Sequence, residues 1–182
     1  MMKTLRWVTI KIISLIFFII ILSTSLTAQT QRNPVLEEFT GTWCPWCPCG
    51  HTTMQEILDN MPNAIMIGYH GPANGSDPYS FFPGNSIIGM FGVPFWPSGA
   101  VDRTGAPDDR GTWTNLMNQR YNVPATVSIE VLRAYNPINK ELNAIVDVTA
   151  LENLTGGYKM TMILLEDGLI SNQAGNGSCP GG

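Results

Sequence analysis

The chain is poor in positive charge. Its 182 residues include 10 Lys and Arg against 14 Asp and Glu, which gives a formal net charge of −4. Lys3, Arg6 and Lys11 are three of those cations, so the chain after residue 28 has seven cations, 14 acidic residues and a net charge of −7. A surface that binds phosphates needs a basic face, so we expect no nucleic-acid partner.

The chain also lacks a long apolar run after residue 28, so we expect no transmembrane segment in the mature protein. The strongest apolar run extends from Ile12 to Leu22, and basic residues lie just upstream of it. Eleven residues are too few to span a bilayer, which takes ~20, and this pattern is typical of a secretory signal. We predict that residues 1–28 are a signal peptide cleaved after Ala28, with Ser25 as the alternative.

Export places the mature chain in an oxidising compartment. No cysteine precedes Cys44, which argues against a lipid-anchored N-terminus. We therefore predict a periplasmic, outer-membrane-associated or secreted protein whose cysteines can form disulfides.

Residues 33–122 alternate strand and helix patterns and predict an α/β fold. Strand candidates at 35–40 and 64–69 flank a helix that should begin near Pro45, which is a βαβ unit with parallel strands. The apolar face of that helix is Cys47, Met54, Ile57, Leu58 and Met61, and Cys49 is on the other side. A short helix near 87–91, a strand at 98–102 and a helix at 112–121 should follow.

The pattern changes after Pro124. Residues 125–133, 141–149 and 158–165 alternate apolar and polar side chains, which predicts a three-stranded antiparallel meander. We interpret residues 123–170 as the start of a β-rich, sandwich-like domain. Residues 171–182 are glycine-rich and read as a flexible tail, and we expect the chain to stop before this second domain is complete.

The most informative segment is Trp43-Cys44-Pro45-Trp46-Cys47, at a strand-to-helix junction. We expect Cys44 to lie in solvent at the helix N-terminus. Because the positive end of a helix favours thiolate over thiol, the pKa of Cys44 should lie below the ~8.5 of a free cysteine. Cys47, one turn later on the apolar face, should be shielded and less reactive. An accessible thiolate with a shielded resolving partner suits thiol–disulfide exchange.

These features resemble the thioredoxin superfamily. The resemblance implies a functional acidic residue at Glu38, six positions before Cys44, and a tryptophan at Trp43. It also implies a cis-proline facing the disulfide, which is Pro97 within the segment from Phe91 to Ser98. The resemblance covers residues 33–121, although no strand is evident after Gly105.

Two segments also resemble the outer membrane protein 28 (Omp) family. They are Phe39–Pro48, with its Phe-Thr-Gly-x-Trp-Cys-x-x-Cys-Pro pattern, and Pro97–Arg103, with its Pro-x-Gly-x-Val-Asp-Arg pattern. This resemblance implies an exported thioredoxin-like protein with a β-rich C-terminal part. It adds a location more than a mechanism.

Several less specific interpretations stay open at this point. The Cys44–Cys47 pair could be an inert disulfide on a binding module, Glu38 an ordinary exposed strand residue, and Trp43 and Trp46 packing residues. Cys49 could be a free thiol or pair secondarily, for example with Cys179. A zinc or copper(I) site is a further possibility, with candidate ligands Cys44, Cys47, Cys49, His51 and His70.

We expect an extracytoplasmic thiol–disulfide oxidoreductase acting on protein thiols and disulfides together with a redox partner. Cys44 is the expected nucleophile, Cys47 the resolving cysteine and Glu38 the proton-transfer residue. The expected substrate-contacting residues are Trp43, Pro45, Trp46, Trp96 and Pro97. The alternative is an outer-membrane-associated or secreted binding protein with an inert disulfide. No organic cofactor is implied.

Overall fold

The computed structural model describes residues 30–72 and 77–179, and the predicted signal peptide lies outside these residues. The described chain is mixed α/β. Its elements are β1 (Val35–Thr40), α1 (Cys47–Asn60), β2 (Ile65–His70), α2 (Phe82–Phe91), β3 (Ser98–Val101), α3 (Arg110–Tyr121), β4 (Val127–Asn136) and β5 (Glu141–Ala150). Among the helices of these residues, none has both the length and the apolar character needed to cross a membrane.

The first three strands form one sheet with the order β2-β1-β3. β1 and β2 are parallel, with a register from Val35 opposite Ile65 to Thr40 opposite His70, which confirms the predicted βαβ unit. β3 is antiparallel to β1. Beyond β3, Gly99 and Asp108 exchange backbone hydrogen bonds of 3.0 and 2.9 Å as an isolated bridge.

Alternation along β1 sends successive side chains to opposite faces of the sheet. Leu36 joins one apolar cluster with Ile57 of α1 and with Trp113 and Met117 of α3, together with Met61, Ala64 and Val101. Phe39 joins a second cluster with Ile67, Tyr69 and Ala100, against which α2 packs. β1 is therefore covered on both faces, and its carboxyl end leads directly into the cysteine segment.

The helices differ from the prediction mainly at their starts. α1 begins at Cys47 rather than near Pro45, because residues 45 and 46 form a turn. α3 begins at Arg110, two residues earlier than predicted, and Asp109 caps it by accepting a 2.8 Å hydrogen bond from the Gly111 N–H. α2 begins five residues before the predicted segment, at Phe82.

The prediction of a three-stranded meander is wrong in its third strand. β4 and β5 pair along their whole length, from Val127 opposite Ala150 to Asn136 opposite Glu141. Residues 158–165 form no strand and are exposed. Alternation shows that a segment suits a half-buried strand, but a strand forms only where another strand pairs with it, and this segment pairs with neither β4 nor β5.

Candidate active site at the Cys44–Cys47 disulfide

Cys44 and Cys47 form a disulfide at the junction between β1 and α1, with their Cα atoms 5.4 Å apart. The turn is closed by backbone hydrogen bonds from Cys44 N to Gly41 O, at 3.0 Å, and from Cys47 N to Cys44 O, at 3.3 Å. Cys47 is fully buried, as predicted. Cys44 is only 2% exposed, so the expectation that it faces solvent is wrong for this oxidised state.

Glu38 is buried in the sheet and is not the ordinary exposed strand residue that the alternative interpretation described. Its Oε1 has no hydrogen-bond partner among the described residues and lies against Gly50, one turn after Cys47. A Cβ atom at position 50 would overlap this oxygen and would lie 3.2 Å from the Pro97 Cβ. Gly50 thus leaves the space in which Glu38, Pro97 and the first turn of α1 meet.

Burial raises the pKa of Glu38 to about 8. The carboxyl group has lost most of its hydration, and its charged form is disfavoured. The Glu38 Oε2 lies 3.4 Å from the Nε2 of His51, which is half-exposed on α1. Burial also lowers the pKa of His51, with a further contribution from His70. At neutral pH the contact therefore joins a neutral acid to a neutral imidazole.

Two tryptophans close one side of the cysteine turn. The Trp43 indole N–H donates a 2.7 Å hydrogen bond to the Gly71 carbonyl. Its ring meets that of Trp96 edge to face, with centroids 5.4 Å apart. Trp96 is followed by Pro97, and the bond between them is cis, as predicted. These contacts bring Trp43, Trp96 and Pro97 to the same end of the sheet as Cys44.

Pro45 and Trp46 lie at the surface between the two cysteines. The Trp46 side chain is 48% exposed, and the Arg110 guanidinium carbon lies 5.9 Å from its ring centroid. Trp46 lies outside the two buried clusters of the core. Its exposed face is available to a bound molecule.

Asp77 also anchors the cysteine turn, and the sequence analysis missed it. Its carboxylate accepts hydrogen bonds from Thr42 N–H at 2.6 Å, from Tyr79 N–H at 2.9 Å and from His70 Nδ1 at 3.0 Å. Burial opposes the charged form, but these donors outweigh it and hold the pKa of Asp77 below its usual value. His70 belongs to this anchor, and no sequence spacing links it to Asp77.

Cys49 forms a second disulfide, with Cys179, and the Cα atoms are 5.1 Å apart. The sequence left open whether Cys49 is a free thiol or is paired, and in the structure it is paired. All four cysteines of the chain are joined in the two disulfides, so none offers a thiolate ligand to zinc or copper in this state. Among the residues that the structure describes, no three His, Cys, Asp or Glu side chains are grouped as a metal site.

The fold and site define a small α/β protein with a Cys-x-x-Cys disulfide at the start of a helix. No protein-family model matches the chain, and no curated protein does. Among solved structures, HBP35 of Porphyromonas gingivalis is similar with a TM-score of 0.48 and 17% identity, over 57% of this chain and 38% of that chain. The match therefore spans well under half the length of that protein. Such a distant similarity carries no functional argument.

Proposed function

We propose that the chain is an extracytoplasmic thiol–disulfide oxidoreductase with a thioredoxin-like domain at residues 33–122. The observation that carries the proposal is the Cys44–Cys47 disulfide at the start of α1, where Gly50, one turn after Cys47, lies against the buried Glu38 carboxyl. The residues that resemble the outer membrane protein 28 (Omp) family are consistent with this location. Two disulfides also suit an oxidising compartment.

In the reducing direction, the Cys44 thiolate attacks one sulfur of a protein disulfide. A mixed disulfide forms, and the other substrate sulfur leaves as a thiolate. The Cys47 thiol then loses its proton, attacks the Cys44 sulfur and releases the second substrate thiolate, which leaves Cys44 and Cys47 oxidised as in the structure. A redox partner that supplies two electrons and two protons regenerates the dithiol.

Glu38 is the proposed proton acceptor for Cys47, and it acts through its ionised fraction. With a pKa of about 8, about one Glu38 carboxyl in ten is ionised at pH 7, and that fraction rises as the pH approaches 8. A carboxylate whose conjugate acid has a pKa of about 8 is matched to a thiol, whose ordinary pKa is ~8.5. The cleft beside Trp96 and Pro97 is the proposed site for an extended substrate segment, in which main-chain hydrogen bonds give affinity. The exposed Trp46 ring is a further proposed contact.

The burial of Cys44 favours a second candidate function, a binding protein with an inert disulfide. Catalytic turnover distinguishes the two. Wild type should accelerate the reduction of insulin by dithiothreitol, and Cys44→Ser should lower this rate to the uncatalysed level. Cys47→Ser should accumulate a mixed disulfide with insulin at Cys44, seen by mass spectrometry. The double variant Cys49→Ser/Cys179→Ser is the matched control and should keep turnover.

Wild-type rates equal to those of Cys44→Ser would establish the inert disulfide and overturn the proposed function. So would a Cys47→Ser variant that traps no mixed disulfide. The reverse assay, the oxidation of reduced ribonuclease, covers the possibility that the protein acts as an oxidant. The reduction potential of the Cys44–Cys47 pair then gives the direction of transfer.

A further inference from the structure

Residues 173–179 cross the turn that leads into Cys44. The Gln173 side-chain amide donates hydrogen bonds to Gly41 O, at 3.2 Å, and to Cys44 O, at 3.0 Å. The Ala174 N–H donates a 2.7 Å hydrogen bond to Thr42 O. Three carbonyl groups of the cysteine turn are thus bound by this distant segment.

The contact is confined to these few residues. From 151 to 172 every residue except Leu154 is exposed. Within residues 173–179, the partly buried residues are Gln173, Ala174, Asn176 and Cys179. The chain therefore reaches the cysteine turn through an exposed connection and contacts it locally.

The Cys49–Cys179 disulfide holds this contact in place. Cys49 is on α1, two residues after Cys47, and Cys179 is five residues after Ala174. Five residues reach at most ~18 Å, so Ala174 cannot diffuse away from the site while the disulfide is closed. A short tether of this kind keeps Gln173 and Ala174 at an effective concentration on the order of millimolar or higher around the Cys44 turn.

We propose that residues 173–179 form a strap over the Cys44 turn, and that reduction of the Cys49–Cys179 disulfide releases it. The strap binds the backbone carbonyl of the proposed nucleophile, whose side chain is only 2% exposed. The inference rests on the proposed function for its biological meaning. The strap itself concerns only access to the Cys44–Cys47 disulfide.

Release is a two-electron exchange with a dithiol. A thiolate of the dithiol attacks the sulfur of Cys179, which is less buried than Cys49, and Cys49 leaves as a thiolate and takes up a proton. The second thiol of the dithiol attacks the mixed disulfide and frees Cys179. The dithiol ends as a disulfide, and the chain gains two thiols. The partner class is therefore a dithiol reductant, either a small molecule or a protein.

The test follows the reduction of both disulfides in the full chain by limiting dithiothreitol. Samples are quenched with acid and N-ethylmaleimide, and the labelled cysteines are located by fragmentation in the mass spectrometer. In wild type, Cys49 and Cys179 should be labelled first, and Cys44 should follow after a lag. In Cys49→Ser/Cys179→Ser the lag should vanish, and the initial rate of Cys44 labelling should rise by about tenfold, because the open state is no longer rare.

A second variant tests the contacts with the crosslink intact. Gln173→Ala removes two of the three hydrogen bonds and should raise the initial rate of Cys44 labelling by about threefold or more. Asn172→Ala, at the exposed neighbouring position, is the matched control and should behave as wild type. Cys44 labelled first in wild type, or equal initial rates in wild type and the double serine variant, would overturn the strap.

The strap and the proposed function are tested by different measurements, so either can be overturned without the other. Strap release is measured with a small dithiol and no protein substrate, whereas the proposed function depends on insulin turnover. A Cys44-dependent turnover without a lag would keep the oxidoreductase and remove the strap. A clear lag without turnover would keep the strap and remove the oxidoreductase.

Discussion

At the scale of single residues, the site depends on one carboxyl group kept away from water. Glu38 is 1% exposed, and within the part of the chain that the structure describes its Oε1 has no hydrogen-bond partner, so the charged form is costly in the folded protein. Gly50 leaves room for this carboxyl, and His51 connects it to the surface. The His51 Nε2 lies 3.4 Å from the Glu38 Oε2, and its hydrogen bond, of 3.1 Å, is with the Thr40 hydroxyl.

The raised pKa of Glu38 makes stability depend on pH. The folded pKa, about 8, lies above the model value of 4.5. The folded state therefore binds the proton more tightly, and this group lowers the free energy of unfolding as pH rises from about 4.5 to 8. Glu38→Gln should remove that fall. From pH 5 to pH 7.5, the free energy of unfolding of the variant should rise by about 3 kcal/mol relative to that of wild type, since one pKa unit is about 1.4 kcal/mol.

Urea unfolding at the two pH values measures this difference. Glu56→Gln, at an exposed position on α1, is the matched control and should track wild type. A Glu38→Gln variant that also tracks wild type would show that Glu38 is ionised in the folded protein. The proton-acceptor role would then lose its physical basis.

Sequence patterns predicted the site where the signal was local. The strand before Cys44, the buried position of Cys47 and the convergence of Trp43, Trp96 and Pro97 on one end of the sheet follow from spacing and from the resemblance. Gly50 also carries a sequence signal, because a glycine inside a helix indicates a close packing contact, here with Glu38 and Pro97. The contacts of Gln173 and the pairing of Cys49 with Cys179 join residues about 130 apart, and no period or spacing encodes them.

At the scale of elements, the cysteine turn is fixed by the loop that follows β2. Asp77 joins the Thr42 backbone, the His70 ring and the Tyr79 backbone, so one carboxylate links the ends of β1 and β2. The Trp43 indole adds a second link through the Gly71 carbonyl. The position of Cys44 thus depends on two parallel strands and not on α1 alone.

Asp77→Asn should destabilise the protein by about 1–3 kcal/mol at pH 6, because a charged acceptor with three donors becomes a neutral amide. The lowered pKa of Asp77 gives the sign of the pH effect. The stabilisation is present above the unfolded value of 3.8 and is lost as pH falls through the folded value, so the difference between variant and wild type should shrink at pH 2–3.

Urea unfolding at pH 6 and pH 3 tests this prediction. Asp59→Asn, at an exposed position on α1, serves as the control and should change stability by less than about 0.5 kcal/mol. A cost for Asp77→Asn that is equally large at both pH values would assign the effect to packing instead of to the charge.

At the scale of the whole molecule, the described residues comprise a packed α/β part and, after it, an exposed hairpin and connection. Every residue of β4 except Val127 is exposed, and most of β5 is exposed as well. A two-stranded hairpin is at best marginally stable by itself. The Cys49–Cys179 disulfide closes a loop that contains this hairpin and the exposed residues after it, so a covalent bond ties them to the packed part.

This arrangement predicts the outcome of limited proteolysis. Lys159 lies in an exposed segment without helix or strand, whereas Arg110 and Arg120 lie in α3, which packs on the sheet through Trp113 and Met117. Trypsin should therefore cut after Lys159 before it cuts within α3, because cleavage needs locally unfolded backbone. The fragment that starts at Met160 carries Cys179 and should stay attached on a non-reducing gel.

Reductant should release that fragment, and Cys49→Ser/Cys179→Ser should release it without reductant. The mass of the released peptide identifies the cut. Since the disulfide, rather than extended packing, holds the fragment, cutting the chain at Lys159 should leave the packed part folded, with unchanged tryptophan fluorescence. A fragment lost from unreduced wild type would show that Cys49 and Cys179 are not joined. Earlier cleavage in α3 would show that the α/β part is less stable than the exposed connection.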